Sequence, residues 1–99
     1  HNSLGFFCYM EVKMNKDIEK NRVRIDAIDN QVFDLLIDRL DAVTTIGHIK
    51  KEEGLPVLDQ NRENIIYAKI DAKFSKIEAD FLKNIYQSII TESKKVEEK

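Results

Sequence analysis

The chain has 99 residues and a net charge of −2, enough for one small domain and close to the size at which a monomer buries only a modest core. Apolar residues make up 42% and charged residues 34%; with Ile, Leu, Val and Phe recurring throughout, this excludes a disordered chain, and the small net charge gives no global sign of a nucleic-acid or anionic-membrane partner. Cys8 is the single cysteine, so an internal disulfide and a thiolate zinc cluster are excluded and a reducing cytoplasm is the expected compartment.

The sequence begins at His1, and Met10 and Met14 are both candidate native starts. Residues 1–13, with the apolar piece Leu4 to Met10, are expected to be a tag scar or disordered tail, which leaves 14–99 as the domain. The segment lacks the basic start and small-residue cleavage site of a signal peptide. No apolar run reaches the roughly 20 residues of a membrane span.

From Asn15 to about Glu52 there is no Pro, and Gly47 is the only Gly. Ile18, Ile25, Ile28, Val32, Leu35, Leu36, Val43, Ile46 and Ile49 recur at steps of three and four, which is helical periodicity. A helix of about 35 residues is about 50 Å long. That exceeds the roughly 25–30 Å diameter of a compact domain of this mass, so such a helix needs a partner outside its own chain. Glu53-Gly54-Leu55-Pro56 breaks it, since Gly ends helices well and Pro suits the first turn of the next.

A second helix is expected from about Leu58 to Phe74, with Ile65, Ile66, Ala68, Ile70 and Phe74 on its buried side and Asp59 in its first turn, where a carboxylate meets the positive helix end. Ser75 caps a third helix, Glu78 completing a capping box. Phe81, Leu82, Ile85, Tyr86, Ile89 and Ile90 mark its apolar face. The expected class is all-α, with one long and two shorter helices. Lys94 to Lys99, charged except for Val96, reads as a frayed end.

Arg39 and Lys50 are eleven residues apart, so they lie about 20° apart around the helix and about 16 Å apart along it. Two long cationic side chains reach toward each other over that gap, which suits a small dianion. Arg22 precedes Arg39 by 17 residues, about 25 Å and roughly 100° around the helix. It cannot serve the same pocket within one chain, but it could serve the equivalent pocket of a partner. Asp59, Arg62 and Glu63 share one face of the second helix, and Ser93 and Glu97, four apart, share a face of the third. His48 has no ligand at metal spacing beyond Glu52 and reads as surface. Singly, each of these reads as solvated surface or capping.

Together they do not. Arg22-x-x-Ile25, Asp29, Leu35-Leu36, Arg39, Lys50, Gly54, Pro56, Asp59, Arg62-Glu63 and Ile89-Ile90-x-x-Ser93 resemble the all-helical chorismate mutases. The resemblance covers residues 18–97. The spacings from Arg22 to Arg39, to Lys50 and to Asp59-x-x-Arg62-Glu63 match the bacterial pattern without a gap, while the connection into the third helix is slightly short.

The resemblance implies an intertwined homodimer, its long first helices crossing side by side, with two equivalent sites. Arg22 matches an arginine supplied across the interface, and Arg39 the in-chain arginine that holds a substrate carboxylate. Lys50 matches the lysine that bonds the ether oxygen and a carboxylate, and Glu63 the acceptor of the ring hydroxyl. Asp59, Arg62 and Ser93 match supporting and orienting positions. The implied reaction is the pericyclic rearrangement of chorismate to prephenate in aromatic amino acid biosynthesis, the shikimate pathway. It needs no nucleophile, metal or organic cofactor. Its catalysis consists of freezing a flexible dicarboxylate in its reactive form and stabilising charge on the ether oxygen.

Glu97 departs from the bacterial pattern, which has Gln there; fungal members are similar in carrying Glu. An ether oxygen only accepts hydrogen bonds, as does an ionised carboxylate, so Glu97 assists only when protonated. Two rivals stay open: an isochorismate-pyruvate lyase of the same fold, disfavoured by the complete Arg62-Glu63 pair, and a non-catalytic helical dimerisation module, disfavoured by the intact set of cations. A partner enzyme of the shikimate pathway also stays open as a second protein partner.

Overall fold

The computed structural model describes residues 2–99, with side chains described from Asn15 onward. Helix α1 runs Asn2–Glu53, α2 Gln60–Lys73 and α3 Lys76–Glu98, with no strand among the described residues. The expected class, one long helix and two shorter ones, is the observed one. The backbone of α1 is helical from Asn2 rather than from Asn15. The side chains behind the reading of 1–13 as a tag scar or tail lie outside the described residues.

The breaks follow from local chemistry. Gly54 sits at φ +67°, the left-handed conformation that Gly adopts without steric cost. Beyond it the Leu55 N–H donates back to the Lys50 carbonyl at 2.8 Å, a bond of the Schellman type. Pro56 then offers no N–H with which to continue the helix. Asp59 is the N-cap of α2, one residue outside the first turn expected for it, and its Oδ1 accepts from the Arg62 N–H at 3.0 Å. Ser75 caps α3 with the expected capping box. The Glu78 N–H donates to Ser75 Oγ at 3.3 Å, and the Ser75 N–H donates to Glu78 Oε1 at 3.1 Å.

The chain divides into two units, His1–Asp38 and Arg39–Lys99. The second contains the last part of α1 with α2 and α3. Its core is Val43, Ile70, Ala79 and Ile90, each no more than 9% exposed. The expected apolar faces are therefore only partly buried. Ile65 on α2 and Phe81 on α3 are 51% and 64% exposed, and Ala68 is exposed too. A unit of this size has too little interior to cover every apolar position of its helices. At the surface, Lys83 pairs with Asp71 at 2.8 Å and ties α3 to α2. The hydrogen bond to Asp71 holds the Lys83 ammonium above the ordinary lysine range, against the opposing effect of desolvation.

The first unit, taken by itself, is a single helical segment. Ile18, Ile25, Ile28, Val32 and Leu36 recur along it and are 39% to 52% exposed. Leu35 and Ile37 are more exposed still. An isolated helix gains little from propensity alone and depends on burying its apolar stripe.

Candidate active site

The second unit holds a cavity of about 380 Å³ between the end of α1, the start of α2 and the end of α3. Four cations line it, Arg39, Lys50, Arg62 and Lys94, together with three carboxylates, Asp59, Glu63 and Glu97. Val43, Ile46 and Ile90 give it an apolar floor.

Arg39 and Lys50 start about 16 Å apart along α1, yet their side chains converge. Arg39 Nη1 donates to Ser93 Oγ at 2.7 Å, and that hydroxyl donates to the Ile89 carbonyl at 2.7 Å. The Arg39 guanidinium also lies 5.8 Å from the Tyr86 ring centroid, within cation–π range. Lys50 Nζ donates to the Val57 carbonyl at 3.0 Å and stands 2.7 Å from Glu97 Oε1. Ser93 and Glu97 are one turn apart on α3, about 6 Å. The two cations thus end over neighbouring turns of one helix, a separation that fits two carboxylates of one small molecule.

The Lys50–Glu97 contact is close, but the ammonium is not directed as a hydrogen bond. Glu97 Oε1 is buried without a hydrogen-bond partner. Buried polar atoms are rarely left so. A carboxylate oxygen is an acceptor when ionised and can donate when protonated. Gly47 accounts for its position. A Cβ added there would lie 3.0 Å from Glu97 Cα, so the absence of a side chain allows α1 and α3 to approach closely.

Of the residues expected in a site, the cavity brings together Arg39, Lys50, Asp59, Arg62, Glu63, Ser93 and Glu97. Arg22 belongs to the first unit and is exposed. His48 is exposed, as expected. The sequence reading missed Lys94, whose ammonium pairs with Glu63 Oε1 at 3.0 Å in the cavity wall. It was hidden in a charged stretch that reads as frayed. Its spacing of three from Glu97 was the available signal, because i,i+3 residues share a helix face. Gly47 was also missed as a spacer.

A part-buried pocket on a small all-helical frame thus presents guanidinium, ammonium, hydroxyl and carboxylate groups, a set able to make charge-assisted hydrogen bonds to a small anion. The chain belongs to the chorismate mutase type II family, whose model matches residues 21–98. It is 29% identical over 83 residues to a chorismate mutase of Methanocaldococcus jannaschii, covering 82% of this chain and 84% of that protein. It is 28% identical over 74 residues to the T-protein of Haemophilus influenzae, covering 73% of this chain and 20% of that protein. It is also 27% identical over 85 residues to a 4-amino-4-deoxychorismate mutase of Streptomyces venezuelae, covering 83% of this chain and 82% of that protein. The chain thus spans about a fifth of the length of the T-proteins it matches. No solved structure matches. Among the described residues, no helix is long and apolar enough to cross a membrane.

Proposed function

We propose that this chain is a chorismate mutase, rearranging chorismate to prephenate as a cytoplasmic homodimer in aromatic amino acid biosynthesis. The observation that carries the reading is the convergence of Arg39 and Lys50 on Ser93 and Glu97, in a cavity that Glu63 also lines. In the rearrangement one ether C–O bond breaks while a C–C bond forms, and no proton moves to or from the protein.

Arg39, oriented by Ser93, binds one carboxylate and draws the flexible substrate into its compact form. Lys50 meets the ether oxygen and a carboxylate, and stabilises the negative charge that grows as the C–O bond lengthens. Glu63 accepts the ring hydroxyl, while Asp59 and Arg62 order the start of α2 beside it. Arg22 of a second copy completes the site. The apolar stripe of the first unit, exposed at Ile18, Ile25, Ile28, Val32 and Leu36, supports that second copy, because oligomerisation is a usual remedy in a chain this short.

One second reading is favoured by an observation. Relatives named 4-amino-4-deoxychorismate mutases match at 27% and 31% identity, on either side of the 29% of the chorismate mutase. Their name implies an amine where chorismate has its ring hydroxyl, and Glu63 can accept from either. Purified protein assayed with chorismate, isochorismate and 4-amino-4-deoxychorismate tests the set. Prephenate from chorismate at the highest kcat/KM is expected. Salicylate and pyruvate from isochorismate would replace the reading with a lyase, and preference for the amine would replace the substrate.

A further inference from the structure

Resting on the proposed function, the remaining question is which ring donor the cavity selects, and overall similarity does not separate a hydroxyl from an amine. The pair at Glu63 does. Glu63 is the cavity carboxylate that the proposed function assigns to the ring donor, and its side chain is 14% exposed. Lys94, on the adjoining face of α3, holds Glu63 Oε1 at 3.0 Å and is 35% exposed. The ammonium occupies one carboxylate oxygen and leaves the other to accept from substrate. The pair as a whole carries no net charge.

An uncharged hydroxyl loses nothing to this arrangement, since it needs only an acceptor. An aliphatic amine is protonated at neutral pH. Bound to the same carboxylate, it brings a second positive charge within a few ångströms of Lys94 Nζ. Without Lys94, Glu63 would stand as an uncompensated charge in a part-buried wall, where a cation is the favoured partner. We infer that Lys94 is a specificity-determining residue: by neutralising Glu63, it sets the cavity for a substrate whose ring donor is a hydroxyl and against one whose ring donor is an ammonium.

The test is kcat/KM for chorismate and for 4-amino-4-deoxychorismate at pH 7, measured on the wild-type chain and on Lys94→Gln, Lys94→Ala and Lys94→Arg. The wild type favours chorismate. In Lys94→Gln and Lys94→Ala the ratio moves toward the amine by roughly tenfold or more, the order set by one like-charge contact in a partly screened site. Lys94→Arg keeps the wild-type ratio. Two neutral variants are read so that a folding defect in one leaves the other. A ratio unmoved in the neutral variants, whatever their absolute rates, overturns the role of Lys94 while leaving the proposed function intact. A wild-type chain that turns over neither substrate overturns both.

Discussion

Gly47→Ala separates the positioning of Glu97 from the stability of the fold. The added Cβ meets Glu97 Cα at 3.0 Å, with Glu97 Cγ and its carbonyl oxygen both at 3.5 Å. Carbon atoms pack best at about 3.5–4.0 Å, so the end of α3 must retreat from α1 by about 0.5–1 Å. Such overpacking costs about 1–3 kcal/mol. Against this, Ala gains about 1 kcal/mol over Gly inside a helix, so the net loss of stability is about 0–2 kcal/mol. The site has no such offset. Glu97 and Ser93 ride on the displaced turns, and a shift near 1 Å in positioned groups costs up to about 10²-fold in rate. We expect urea unfolding to show a modest change in midpoint, with chorismate turnover down by about tenfold or more. Full activity in Gly47→Ala, with the fold intact, would show that close approach of the two helices is not what positions Glu97.

Three further outcomes follow from the same geometry. Sedimentation at low micromolar concentration should give about twice the chain mass, the exposed stripe of the first unit being covered by a second copy; a folded, active monomer would contradict this. Arg22→Ala and Lys50→Ala should each lose on the order of 10²–10³ in rate, and unfolding and refolding the two together should restore activity, because mixed dimers contain one site with both residues intact; no recovery on mixing would refute a shared site. Glu97→Gln should equal or exceed wild type in chorismate turnover, because an amide always carries a donor for an ether oxygen whereas an ionised carboxylate carries none. A large loss of activity in Glu97→Gln, with the fold intact, would remove Glu97 from the ether oxygen.

Local signals made the frame legible in the sequence. Gly54 and Pro56 mark a break whose backbone demands are visible in residue type alone, and Ser75 with Glu78 announces its helix start through two hydrogen bonds three residues apart. The facing of Arg39 and Lys50 followed from helical pitch. Less legible was anything set between helices. Ile65 and Phe81 have the periodicity of core residues yet are exposed in the chain, because periodicity reports a face and not what covers it. Lys94 lay in a run of charges, and only the packing of α3 against α2 brings its ammonium to Glu63. Gly47 had no turn or break to explain it; its reason is Glu97, 50 residues later in the chain.

Chorismate consumption by the purified wild-type chain, measured beside Lys50→Ala with prephenate identified as product, tests whether this cavity performs the rearrangement. Lys50 lies 2.7 Å from Glu97 in the cavity and is the cation assigned to the breaking bond. Prephenate is expected from the wild type, with a loss on the order of 10²–10³ in rate when that charge is removed. Absence of prephenate with the wild type, or a Lys50→Ala chain that works as fast, would contradict that expectation.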